Sequence, residues 1–189
     1  MTARFVLLAV VSSDGFIARY PGHPPWEWAS PEEQARFRAT MDLVTWSVLG
    51  RITHETAPRP ERKRIVFTGA VKSIAWLTPN HLAFNPAGAT FDEALEIARP
   101  EGLVAVLGGT RVHDYMLGIG RVDELRLSIE PVRFGEGLGM FTGVAWLGLD
   151  DHLARHGMAR AGEDEKFNDL GTVERRYRKI AANALRHAR

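Results

Sequence analysis

The chain has 189 residues, 45% of them hydrophobic and 25% charged, which suits one soluble domain with a substantial core. Its formal net charge of +1 gives no reason to expect a nucleic-acid partner, and the lack of cysteine excludes disulfides, thiol catalysis and thiolate metal sites. The longest apolar runs, 5–11 and 103–107, are too short to span a bilayer, and Asp14-Gly15 interrupts the only candidate secretory signal, so no membrane partner is expected and the expected address is the cytoplasm.

Residues 5–11 are apolar throughout and suit a central strand buried on both faces, stopped by the turn residues Ser12-Ser13-Asp14-Gly15. Residues 21–31 hold Pro21, Pro24, Pro25 and Pro31 around Trp26 and Trp28, and read as a loop. A helix follows: Ser30 is a good N-cap, Pro31 fits the first helical position, and Glu33 at the third completes a capping box. Phe37 and Met41 then fall four apart on one face. Residues 46–49 form a short strand ending at Gly50, and Arg51–Thr56 starts a second helix. Strands are expected at 64–68 and His81–Phe84, then an amphipathic helix over Phe91–Ala98 with Phe91, Leu95 and Ala98 inward.

Residues 103–107 read as a strand, 110–117 as a helix and 125–129 as a strand, with further strands at 144–149 and 172–177. This alternation predicts an α/β fold with a largely parallel sheet covered on both faces and antiparallel strands at its C-terminal edge. No repeat or linker divides it. Arg175, Arg176, Arg178, Lys179, Arg186 and Arg189 crowd the end, where a solvated strand edge followed by a short terminal helix is expected.

Chemistry concentrates at two glycine turns. The strand at 103–107 empties through Gly108-Gly109 into a helix starting at Thr110, which places free backbone N–H groups and a positive dipole end where a phosphate could sit. Gly50-Arg51-Ile52-Thr53 offers the same set, with a hydroxyl and a guanidinium, and Arg111 supplies a guanidinium to the first turn. Taken singly, each glycine suits an ordinary turn and each arginine an ordinary surface. The seven histidines show no metal-ligand set; His152 and His156 sit four apart beside Asp150-Asp151 without a third ligand, so no metal is expected. Gly135, Gly137 and Gly139 read as a mobile loop.

Several segments, in order, resemble the dihydrofolate reductase-like family, including its riboflavin-biosynthesis reductase branch. They are AVVSSDGFIA (9–18), WASPEEQARFRATM (28–41), VLGRITHE (48–55), VLGGTRVHDYML followed by VDELRLSIEPVRFGEGLGMF, and FNDLGTVERRY (167–177). The resemblance implies a three-layer dihydrofolate reductase-like fold and an NAD(P)H-dependent reductase acting on a small molecule. NADPH is the expected cofactor, with NADH not excluded. It implies a cis Gly108-Gly109 bond against the cofactor, and a dinucleotide held by Gly50, Arg51, Thr53, Gly108, Gly109, Thr110 and Arg111. The nicotinamide would lie beside Ala9, Val10 and Ile17. Glu33 is the implied proton-donating residue, supported by Ser128, with Asp14, Trp28 and Phe37 on the substrate side; a Glu33 in an apolar pocket beside Trp28 and Phe37 would have a raised pKa. From the residues alone, Glu33 is equally a helix cap and Asp14 equally a turn former.

Departures accompany the likeness. Gly69-Ala70 stands where many members place an arginine for the adenosine 2′-phosphate, and His113 where an aromatic residue is usual. The His-x-Leu-Arg pattern of the riboflavin branch is replaced by Arg36, Phe37, Arg38 and Ala39. The leading expectation is hydride transfer to a C=N carbon of a pterin or pyrimidine. The alternatives are reduction of a ribosylamino-pyrimidine, and a nucleotide-binding relative without catalysis. The riboflavin branch pairs through sheet edges or C-terminal strands, which makes a homodimer through 144–149 an option beside a monomer.

Overall fold

The computed structural model describes residues 2–180. The chain opens with β1 (Arg4–Ser12), β2 (Phe16–Ala18), α1 (Pro31–Met41), β3 (Val44–Gly50) and α2 (Arg51–Thr56). It continues through β4 (Arg64–Phe67), β5 (Ile74–Thr78), β6 (His81–Phe84), α3 (Phe91–Ala98), β7 (Leu103–Gly108), α4 (Thr110–Gly118) and β8 (Glu124–Glu130). It closes with β9 (Leu138–Gly139), α5 (Leu149–Arg155), β10 (Met158–Arg160), β11 (Glu165–Lys166) and β12 (Val173–Lys179).

A ten-stranded sheet runs in the order β10-β12-β8-β1-β7-β3-β4-β6-β5, with β11 paired to β12, and β2 and β9 form a separate ribbon. Strands β8, β1, β7, β3, β4 and β6 are mutually parallel, while β12 and β5 run antiparallel at the two flanks. The expected α/β class and mostly parallel sheet therefore hold. The continuous apolar runs explain the centre: Leu7, Val48, Ile65, Val104 and Val106 are all fully buried. Among the described residues no helix is long and apolar enough to cross a membrane.

Parallel register brings the strand ends to one level. Val10 pairs with Ser128, Ser12 with Glu130, and Leu49 with Gly108. Ser12, Gly50, Gly108 and Glu130 thus share the edge of the sheet at which parallel α/β folds place their ligands.

Two expectations fail here. Residues 144–149 are not a strand: a 3-10 turn (Trp146–Gly148) leads into α5, and Leu147 is 96% exposed. Asp150 and Asp151 in the first turn favour a helix start over a strand end. The strand-edge dimer contact imagined for this segment loses its basis. Strand β12 is also internal, between β8 and β10, and its arginines pair locally: Arg175 with Asp164, Arg176 with Glu174 and Glu165, and Arg178 with Glu124. The terminal helix, with Arg186 and Arg189, falls outside the described residues.

At the other flank, Phe84 packs edge-on against Phe67 (4.9 Å between ring centroids), Phe91 (5.6 Å) and Tyr115 (5.9 Å), tying β6 to α3 and α4. Residue 84 is fully buried. Phe84→Ala is expected to lower stability by about 3–5 kcal/mol, the usual cost of emptying a buried phenylalanine site. Leu77→Ala, at a half-exposed edge position, is expected to change it by under about 0.5 kcal/mol in the same urea titration.

Candidate active site

The two glycine turns are neighbours. A Cβ built on Gly50 would lie 3.8 Å from the Gly108 carbonyl oxygen and 3.6 Å from Val112, so both turns open side by side at the ends of β3 and β7. The Gly108-Gly109 bond is cis, and Gly108 has φ +91°, a left-handed conformation that glycine alone adopts readily. Nothing lies within 4 Å of where a Cβ on Gly109 would stand. Thr53 is half-buried, whereas Arg51 and Arg111 are exposed. The Arg51 guanidinium donates to both Glu55 carboxylate oxygens at 3.0 and 2.8 Å.

Helix α4 also clamps the chain that follows the glycine loop. The Thr110 hydroxyl donates to the Gly139 carbonyl at 2.6 Å, His113 Nδ1–H to Met140 at 3.0 Å, and Thr142 donates to Asp114 from its N–H at 3.0 Å and its hydroxyl at 2.6 Å. These α4 positions share one helix face. The end of the loop expected to be mobile is therefore fastened, and β9 adds pairing with β2. A groove of about 480 Å³ lies between α4 and this loop, lined by Phe16, Thr110, Arg111, Gly137, Leu138 and neighbouring residues.

His113 is fully buried, and burial is the main cause that pushes its pKa down to about 4. Since a carbonyl only accepts, the Met140 bond puts the proton on Nδ1. Nε2 has no partner among the described residues and faces Gly108, where an added Cβ would stand 2.4 Å away.

On the other side of β1 stands the acid. Glu33 is 7% exposed, and its carboxyl pKa is raised to about 7, first by burial and then by the charge of Glu130. Ser128, Arg36 and Arg38 act in the opposite sense. A second carboxylate and a hydroxyl therefore stand beside the buried acid. The capping box forms only in half: Ser30 Oγ accepts from the Glu33 N–H at 3.3 Å, but the Ser30 N–H donates to Glu130 Oε1 at 2.8 Å instead of to Glu33. That frees the Glu33 side chain for the sheet edge.

Glu130 is the residue sequence reasoning missed. It is 2% exposed and accepts from the Ser30 N–H, the Ser30 hydroxyl and the Thr172 hydroxyl, each at 2.8 Å. Asn168 Nδ2 donates to Ser30 Oγ and Thr172 Oγ1, and completes the network. Its signal was period-two alternation, which puts residues 128 and 130 on one face of β8.

The remaining candidates spread around this centre. Val10 is buried beside Ser128, while Ala9 and Ile17 are partly buried against the core. Phe37 is 39% exposed on α1 rather than turned inward. Trp28 packs edge-on against Phe134 at 4.9 Å, and its buried Nε1 has no partner. Asp14 serves the turn: its carboxylate accepts from the Ser12 hydroxyl (2.6 Å) and the Phe134 and Gly135 N–H groups (3.1 and 2.7 Å). Desolvation opposes ionisation there, but these bonds outweigh it and lower the pKa to about 2. No group of three or more His, Asp or Glu side chains suited to a metal occurs among the described residues.

No protein-family model matches the sequence, and no curated protein matches it. Solved structures do. A dihydrofolate reductase from Enterococcus faecalis, complexed with NADP(H) and RAB-propyl, superposes with a TM-score of 0.65 at 19% identity, over 94% of this chain and 97% of that one. A candidate riboflavin biosynthesis protein from a Shewanella species gives 0.67 at 17% identity, over 94% and 99%. The fold is that of dihydrofolate reductase. At these identities the likeness fixes the dihydrofolate reductase-like architecture and leaves the chemistry to the residues themselves.

The His113 shift has a sign that can be measured. Its folded pKa lies below the unfolded 6.5, so its contribution to stability is present above 6.5 and is lost as pH falls toward about 4. Stability is expected to drop across that window by up to about 1.4 kcal/mol per pH unit from this group. In His113→Asn, which keeps a donor for Met140, urea unfolding is expected to show a flatter slope there.

Proposed function

We propose that this chain is an NAD(P)H-dependent reductase that adds hydride to a C=N carbon of a pterin- or pyrimidine-type substrate, with Glu33 delivering the proton. One observation carries the reading: with the sheet order β8-β1-β7-β3, the buried Glu33 lies on the β8 side of β1 and the paired glycine turns on the other. The dihydrofolate reductase of like fold was complexed with NADP(H), which supports a nicotinamide cofactor.

The residues fit such a cofactor. The open space at Gly109 and the groove beyond Thr110 and Arg111 admit a phosphate chain, and the α4 N-terminus favours its charge. Gly50, Arg51 and Thr53 would hold the second phosphate-bearing part. Ala9, Val10 and Ile17, between the two halves, would face the nicotinamide. Bound there, the dihydronicotinamide supplies the hydride.

The protein's own work is binding, orientation and proton supply. A carboxyl with pKa near 7 is still substantially protonated at neutral pH, the condition for general acid catalysis there. Glu33 would protonate the ring nitrogen beside the carbon that receives hydride, and Ser128 would steady the carboxylate that results. Trp28 and Phe37 would border the substrate. The Gly69-Ala70 pair offers no guanidinium for a 2′-phosphate, so NADH is a reasonable second cofactor. The substrate is expected to be a small molecule; a homodimer and a cytoplasmic address belong to the same reading.

NADPH is expected to quench tryptophan fluorescence at micromolar concentration, and Arg111→Ala to weaken it by about 10–100-fold through loss of charge-assisted phosphate bonds. No quenching by NADPH or NADH would end the cofactor reading. Glu33→Gln should bind NADPH normally yet lose about 10²–10⁴ in turnover of dihydrofolate or the ribosylamino-pyrimidine. In the parent protein, turnover should decline above about pH 7, where the carboxyl loses its proton. Cofactor binding with no turnover of either substrate would favour a binding protein instead.

A further inference from the structure

Glu130 is a buried carboxylate to which no lysine or arginine is hydrogen-bonded or ion-paired among the described residues. Both of its oxygens accept: Oε1 from the Ser30 N–H and hydroxyl, Oε2 from the Thr172 hydroxyl, all at 2.8 Å. All three contacts are donated to Glu130, and none is donated by it. The same Ser30 hydroxyl oxygen accepts the Glu33 N–H at 3.3 Å, so one serine links the two acids.

We propose that Glu130 is a positioning residue for this site: a carboxylate held by Ser30 and Thr172 whose fixed negative charge keeps the proton on Glu33. The role rests on Glu33 being the acid of the reaction proposed above. Two carboxylates in one buried place do not readily ionise together. Three donors serve Glu130. Glu33 is faced from β8 by Glu130 and Ser128, and from its own helix by Arg36 and Arg38. Arg36 is drawn away, since it meets Glu174 on β12 at 3.3 Å and Glu165 on β11 at 3.9 Å and lies over the Phe167 ring at 4.4 Å. Ser128 contributes a dipole rather than a charge. Glu130 is therefore the nearby full charge that favours the protonated form.

Glu130→Gln is nearly isosteric and can still accept from Ser30 through its amide oxygen, so the network survives while the charge goes. The test is 13C NMR titration of protein labelled at the glutamate side-chain carboxyl, with the Glu33 signal assigned by its loss in Glu33→Gln. The Glu33 midpoint is expected to fall by one pH unit or more in Glu130→Gln and to stay high in Glu130→Asp. The alkaline limb of the rate profile should move by the same amount. If Glu130→Gln does not fold, Glu130→Ala, with room for water at Ser30 and Thr172, takes its place with the same expected fall. An unmoved midpoint in a folded neutral variant would overturn the proposal. NADPH quenching and turnover, measured separately, test the proposed reaction, whereas the titration tests Glu130 alone.

Discussion

The site depends on three hydrogen bonds to a single buried carboxylate. Glu130 accepts from Ser30, which begins α1, and from Thr172, which enters β12, and so joins two distant segments to the end of β8. Without that anchor α1 would have little reason to lie where it does, because Glu33 is its only fully buried residue. Most helices dock by an apolar stripe. This one docks by a cap and an acid. Hydrogen bonds to charged groups are among the stronger ones a protein makes, worth about 1.5–3 kcal/mol each, and they are directional where apolar contacts are not. The result is a helix held in register with the sheet and a side chain at its third position delivered over Ser128.

The glycine-turn side is organised by different means. Backbone shape does there what hydrogen bonds do at Glu33. A Cβ on Gly50 would make only ordinary contacts with Val112 and the Gly108 carbonyl, whereas His113 fills the space that a residue larger than glycine at 108 would need. Burial keeps His113 neutral, which suits the site: a fixed imidazolium inside the fold would bear an uncompensated charge. The positive character offered to an anion comes instead from the α4 N-terminus and from exposed Arg111. Thr110, His113 and Asp114 then carry the glycine loop along the same helix, so the groove wall and the Gly108-Gly109 turn belong to one unit.

Much of this was legible in the sequence where one physical cause dominates. Continuous apolar runs marked β1 and β7, apolar-rich stretches marked β3 and β8, and Ser30, Pro31 and Gly108-Gly109 marked helix starts. Short strands such as β2, β9, β10 and β11 escaped because two or three residues carry no periodic signal; they exist through pairing with distant partners. The run at 144–149 misled for a related reason, since its apolar residues do not alternate and Leu147 is left in solvent. Glu33 was legible as a residue of consequence, but its two roles were distinguishable only once Ser30 was seen to cap onto Glu130. Glu130 itself, placed before Pro131 at a strand end, looks like a surface residue. Alternation puts it on the Ser128 face of β8, but the Thr172 hydroxyl that it accepts lies forty-two positions away.

Placing the two kinds of organisation on opposite sides of β1 has a chemical consequence. Reduction of a C=N bond needs a hydride and a proton, and the two must not meet before the substrate does. A proton source exposed to water would be ionised at neutral pH. Glu33 avoids that condition, since it is buried and biased toward its protonated form by a neighbour of like charge. That bias weakens the fold: because the folded pKa of Glu33 exceeds the unfolded 4.5, its contribution to stability declines as pH rises from 4.5 through about 7. A surface glutamate would impose no such penalty. An acid retained at the cost of stability, in the crevice where this architecture places its ligands, is better explained by proton transfer than by packing.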